Sequence, residues 1–119
     1  MKKILIIEDE PDVAKTIKLY LAESGYESEY SLDAAETADM LKGYDLLLLD
    51  LRMPKFSGRA VLNDMKEKNI KKPVIVLSAV SLSMTVSDEL RKKFPGTVFI
   101  SKTAMYTELL PAIKKLIGK

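Results

Sequence analysis

The sequence predicts an α/β fold: a five-stranded parallel sheet with helices on both faces. Three observations carry that reading. Short continuous apolar runs at 4–7, 46–49 and 74–77 each stop at a polar residue and a turn, as strands buried on both faces do. Stretches of amphipathic helical period lie between them, bounded by glycine or proline. Alternation of the two element types calls for crossover connections, hence parallel strands and right-handed crossings.

In chain order, Ile4-Leu5-Ile6-Ile7 makes a first strand that ends at Glu8-Asp9-Glu10. Pro11 suits the first turn of a helix over about residues 11–24, with Val13, Ile17, Tyr20 and Leu21 as its apolar stripe and Gly25 as its stop. Tyr26 to Tyr30 alternates ring and polar residues like an edge strand. Ser31 to Asp33 can cap a second helix over about 34–42, closed by Gly43. Four leucines, Leu46 to Leu49, run straight into Asp50, and a loop through Pro54 follows. A helix over about 58–68 buries Val61, Leu62 and Met65. Pro73 opens the fourth strand, which ends at Ser78-Ala79. Leu82, Val86 and Leu90 give residues 81–93 a helical spacing, although Thr85 and Val86 are poor helix formers. Pro95-Gly96 turns the chain into a last strand, Thr97 to Ile100, ending at Ser101-Lys102. Leu109, Ile113, Leu116 and Ile117 line a final helix, in which Pro111 is tolerable only near the first turn.

Composition narrows the chemistry. At 119 residues the chain has room for one core, so residues 1–119 read as one domain. Without cysteine there is no disulfide, thiolate metal site or cysteine nucleophile. Without histidine there is no Ser-His-Asp triad, and the commonest general base is missing. The net charge of +2 hides a split: residues 1–51 carry 5 Lys/Arg against 12 Asp/Glu, a balance of −7, and residues 52–119 a balance of +9. The basic residues are spread over helix faces at 66–72, 91–93 and 114–119, which reads as solvated surface more than as a nucleic-acid patch. Met1-Lys2-Lys3 resembles a signal n-region, but the apolar run behind it is too short for a secretory segment. The longest uncharged run, 73–87, contains four serines and falls short of a membrane span. A soluble, cytoplasmic protein is expected, with no effector domain following within residues 1–119.

In an open parallel sheet, sites form beyond the carboxyl ends of the strands, where the strand order reverses. Glu8, Asp9, Asp50, Ser78 and Lys102 stand at those ends. An aspartate at the end of a buried strand is costly unless a partner pairs with it or a reaction uses it. Carboxylates packed together raise one another's proton affinity unless a cation intervenes. A hard divalent cation with oxygen ligands, Mg²⁺ above all or Mn²⁺, suits this set.

These residues also carry a resemblance. Ile-Leu-Ile-Ile-Glu-Asp-Glu-Pro at 4–11, Leu-Leu-Asp-Leu-Arg-Met-Pro at 48–54 with Gly58, Leu-Ser-Ala at 77–79 and Phe-Ile-Ser-Lys at 99–102 together resemble a response-regulator receiver domain, the phosphoacceptor module of two-component signalling. The resemblance covers essentially the whole chain. It implies a doubly wound, flavodoxin-like sheet of order 2-1-3-4-5 with five helices on both faces, an order carried over with the family. It implies that Asp50 is the phosphoacceptor, taking a phosphoryl group from a partner's phosphohistidine. Asp9, Asp50 and the Arg52 carbonyl would hold the metal, with Glu8 adding to the acidic pocket, if need be through water. Lys102 would hold one phosphoryl oxygen and Ser78 another, and Phe99 would turn inward as Ser78 moves. A sensor histidine kinase or phosphotransfer protein would be the donor. The face of the fourth helix, last strand and last helix would meet an unidentified output partner, with no membrane or direct nucleic-acid contact. No independent substrate turnover is expected.

Two rivals stand beside this reading. A pseudo-receiver would use the same fold for protein interaction without phosphorylation, although all five site residue types are present. A phosphatase of the haloacid dehalogenase class wants a second aspartate two residues after the nucleophile, where Arg52 stands. The chain departs from the receiver pattern in two places: the stretch 81–93, where the fourth helix falls, lacks strong helix formers, and Thr103 follows Lys102, where proline is usual. A non-proline bond there is expected to be trans, since the cis form costs about 2.5–4 kcal/mol.

Overall fold

The isoleucine and leucine runs determine where the sheet lies. In the computed structural model Lys3–Ile7 form β1 and Leu46–Asp50 form β3, and every residue from Ile4 to Ile7 and from Leu46 to Leu49 is buried. Burial on both faces explains why these strands are unbroken apolar runs and not alternating ones. The structure describes residues 2–8, 10–31, 40–50, 58–78, 92–94 and 96–118, with backbone alone for Asp50, Gly58, Arg59, Ser78 and Lys102.

Glu27–Ser31 form β2, Val74–Ser78 form β4 and Val98–Ser101 form β5. The strands are all parallel, as the alternation of strands and helices predicted, and their order is β2-β1-β3-β4-β5, as the resemblance implied. Side chains of one strand alternate between two cores. Leu5, Ile7, Leu47 and Leu49 pack with Val61, Leu62 and Met65 of helix α2 (Gly58–Glu67). Ile4, Ile6, Leu46 and Leu48 pack on the other face. Their partners there are Ile17 and Leu21 of helix α1 (Pro11–Glu23) and Leu109 and Ile113 of helix α3 (Met105–Ile117). Helices thus cover both faces, which is the doubly wound arrangement. Each fully buried leucine contributes on the order of 1.5–3 kcal/mol.

The helix boundaries show where local pattern and tertiary packing disagree. In α1 the buried residues are Ala14, Ile17 and Leu21, while Val13 and Tyr20 are only partly buried. The predicted stripe is rotated toward Ala14, whose small side chain lets the helix approach the sheet. Helix α3 begins at Met105, so Pro111 falls in its second turn and not in its first. Met105 is buried and continues the 105-109-113 stripe, and that burial outweighs the backbone bond the proline removes. Of the predicted second helix, the described part is Met40 and the 3-10 turn Leu41–Gly43; of the predicted fourth, it is Lys92 and Lys93. The rest of both lies outside the described residues. No helix among the described residues is long and apolar enough to cross a membrane.

Candidate functional site

Strand order reverses between β1 and β3, because the chain builds outward to β2 on one side and to β4 and β5 on the other. The crevice outside the carboxyl ends of these two strands is where such sheets bind ligands. Register then sets which residues meet there. Ile7 lies opposite Leu49, so Glu8 and Asp50 are the next residues along two adjacent strands. Asp50 lies opposite Leu77, and Ser78 follows by one residue. Ser78 lies opposite Ser101, and Lys102 follows that pair. Two strand spacings, about 10 Å, separate the lines of β3 and β5 at this edge. Four of the residues predicted to act together therefore leave the sheet at one edge within a few residues of the same level.

Glu8 is the best defined of them. It is 1% exposed, and its backbone N–H donates to the Ser31 carbonyl at 3.2 Å, tying the end of β1 to the end of β2. Its Oε1 accepts from the Glu10 backbone N–H at 3.4 Å, at the long end of such bonds. A carboxylate this deeply buried marks a place where charge is held for use or for pairing. Asp9 and Arg52 lie outside the described residues, and Asp50, Ser78 and Lys102 are placed by their backbone alone. The described residues contain no group of three metal-ligating side chains, so the oxygen-ligand set rests on the strand ends that register brings together.

Phe99 is the side chain that the resemblance would turn inward. It is only partly buried, resting against the cluster that contains Val61, Leu62 and Phe94. The reason is its position: β5 is an edge strand, paired on one side with β4.

The turn that carries Lys102 holds a feature that the linear pattern did not suggest. Lys102–Ala104 form a 3-10 turn directly after β5, and the Lys102-Thr103 peptide is trans, as expected for a bond that is not to proline. The Ser101 and Thr103 hydroxyls lie 2.8 Å apart, and the Thr103 N–H donates to Ser101 Oγ at 3.3 Å. A proline at 103 could not make the second bond. Hydroxyl residues two apart at a strand end were the available signal, since serine and threonine bond locally in turns.

Comparison with known proteins agrees with this geometry. Residues 4–114 match the response regulator receiver domain family, and the chain belongs to it. Among curated relatives it is 31% identical over 115 residues to the transcriptional regulatory protein DltR of Streptococcus agalactiae serotype III, covering 88% of this chain and 51% of that protein. It is 29% identical over 121 residues to the cell cycle response regulator CtrA of Brucella ovis, covering 98% of this chain and 50% of that protein. The chain spans about half the length of these relatives. Among solved structures, a Francisella response regulator receiver domain superposes with a TM-score of 0.85 at 28% identity, covering 98% of this chain and 96% of that one. The response regulator TrrA of Thermotoga maritima, solved in complex with Mg²⁺-BeF, gives 0.79 at 32% identity, covering 98% and 100%.

Proposed function

We propose that residues 1–119 act as one phosphoacceptor unit in two-component signalling, with Asp50 taking a phosphoryl group from the phosphohistidine of a sensor kinase or phosphotransfer protein. The observation that carries this reading is the register. It brings Glu8, Asp50, Ser78 and Lys102 to one edge of the sheet at the point where strand order reverses. In the step, an Asp50 carboxylate oxygen bonds to phosphorus as the phosphorus–nitrogen bond breaks, and the imidazole leaves with its electron pair and takes up a proton. The absence of histidine in this chain fits a donor that acts in trans.

Asp9, Asp50 and the Arg52 carbonyl form the oxygen set that would hold Mg²⁺ or Mn²⁺, and the buried Glu8 carboxylate adds to its negative field. When bound, the cation offsets repulsion between the carboxylate and the incoming phosphoryl oxygens. Lys102 supplies a charge-assisted hydrogen bond to one of those oxygens, and the Ser78 hydroxyl supplies another. Movement of Ser78 toward the phosphoryl group then lets Phe99, now partly exposed on the edge strand, swing inward. That rearrangement presents the face of β5, α3 and residues 81–93 to an output partner. The domain works in the cytoplasm, turns over no independent substrate and makes no direct contact with nucleic acid or membrane.

The test is intact-mass spectrometry after incubation with Mg²⁺ and acetyl phosphate. The wild-type chain should gain one phosphoryl group, and Asp50→Asn and metal-free samples should gain none. Modification that persists in Asp50→Asn would sink the assignment.

A further inference from the structure

At the opposite end of the sheet from Asp50, where β4 and β5 begin, lies a cavity of about 440 Å³ that phosphorylation does not use. Its floor is apolar, formed by Leu62 and Met65 of α2, Ile70, Val74 at the start of β4, and Phe94. The way α2 ends builds this floor. Asn69 adopts a left-handed conformation, φ 55°, and its N–H donates to the Lys66 carbonyl at 3.2 Å. The Ile70 N–H donates to the Met65 carbonyl at 2.9 Å. This is the Schellman arrangement, which folds the residue after the turn back onto the last helical turn. It is what brings Ile70 beside Met65.

The rim is cationic. Lys66, Lys71, Lys72 and Lys93 line the cavity, and no carboxylate among the described residues does. None of the four is in an ion pair among the described residues, where Lys18 pairs with Glu29 and Lys68 with Asp64. Two of them converge on one ring: the Nζ atoms of Lys66 and Lys93 lie 6.0 and 5.7 Å from the centroid of Phe94. Lys66 Nζ also donates to the Lys93 carbonyl at 3.4 Å, which holds the two residues together. Ammonium groups gathered without counter-charge repel one another and raise the local potential, a cost that an anionic partner removes.

We propose that this cavity docks an acidic segment of a partner protein that presents one large apolar side chain between carboxylates. The apolar side chain fills the floor and the carboxylates meet the lysine rim. Volume alone would also admit a small ligand. The rim decides between them: Lys66, Asn69, Lys71, Lys93 and Gly96, which line the cavity, are exposed, so it is open to solvent. Enclosed pockets bury most of a small ligand, whereas an open trough with charged edges suits a chain laid across it. The proposal needs no phosphoryl group on Asp50 and stands or falls separately from the function proposed above.

The experiment is selection of a random peptide library on the folded wild-type chain and on Lys66→Glu/Lys93→Glu, followed by amide chemical-shift mapping of an enriched peptide. Wild type should enrich peptides with Phe, Leu or Trp flanked by Asp or Glu. Shifts should cluster at Ile70, Lys72, Phe94, Gly96 and Thr97. The double variant should lose roughly tenfold or more in affinity, while Lys114→Glu/Lys115→Glu, with the same change in charge, should keep it. If the glutamate pair does not fold, Lys66→Gln/Lys93→Gln serves, with the same direction expected. No enrichment, enrichment shared by the variant, or shifts elsewhere would overturn the proposal. So would inorganic phosphate that reproduces the shifts and displaces the peptide, because the cavity would then be a small-anion site.

Discussion

Tyr26 carries a hydroxyl that folding buries without a hydrogen-bond partner among the described residues. Burial pushes its phenol above the ordinary 10.0, so the folded chain keeps the proton at pH values where the unfolded chain has lost it. Well below pH 10.0 the group is neutral in both states and its protonation does not alter stability. As pH rises past 10.0 toward the folded-state value, stability falls. Urea unfolding of wild type and Tyr26→Phe across roughly pH 9–11 should therefore show a steeper decline for wild type. At neutral pH the phenylalanine variant should gain about 1 kcal/mol, because a buried hydroxyl left unsatisfied is removed. Thr103 gives a second expectation. Thr103→Val breaks the 2.8 Å hydroxyl pair but keeps the backbone bond to Ser101 Oγ. In so exposed a turn the loss of stability should stay under about 1 kcal/mol. If the hydroxyl pair aims the turn at the phosphoryl site, the rate of labelling by acetyl phosphate should fall more than stability does. An unchanged rate would leave Thr103 as a local cap only.

At the scale of elements, the two long helices each hold one residue that local propensity singles out, Pro111 inside α3 and Gly25 just past α1. Pro111 sits inside α3 on its exposed side, where it cannot donate to the Thr107 carbonyl. Pro111→Ala should restore that bond and raise stability by about 1–3 kcal/mol, read from thermal unfolding, and a fall would show that the proline sets a bend the core requires. Gly25 closes α1 at φ 92°, and the space that a side-chain methyl would occupy there is open. Gly25→Ala should then cost about 1 kcal/mol from backbone conformation alone. In α1 and α2 the apolar period was legible because each helix lies on one face of the sheet. It was legible only approximately, since Ala14 is fully buried while Val13 packs at the margin of the core. The early start of α3 could not be read from Pro111, because local propensity disfavours it and the burial of Met105 and Leu109 against the sheet overrides that preference.

For the molecule as a whole, the proposed site and the lysine-rimmed cavity occupy opposite ends of one sheet, in keeping with the division between an acidic first half and a basic second half. A cation bound between the strand-end carboxylates should stabilise the fold by linkage. At roughly ten times its dissociation constant Mg²⁺ should add about 1.4 kcal/mol to unfolding free energy. A rise in the urea midpoint with Mg²⁺ that disappears in Asp9→Asn would bear out the oxygen set; an equal rise in that variant would place the cation elsewhere.

The sequence by itself determined the class of fold, the strands and the residues at their ends. Those are near-neighbour properties: a fully buried strand must be apolar throughout, and the polar residue that ends it must sit at the sheet edge. The strand order came with the family resemblance and not from the pattern, because periodicity carries no information about which strands pair. Tertiary structure alone decided the register that sets Glu8 beside Asp50 and Ser78 beside Ser101. It also bonded Thr103 to Ser101, left Phe99 half open on an edge strand, and gathered Lys66, Lys71, Lys72 and Lys93 around one apolar floor. Along the chain those lysines looked like solvated helix surface. Only the packing of α2 against the starts of β4 and β5 makes neighbours of residues whose charges a linear pattern cannot place.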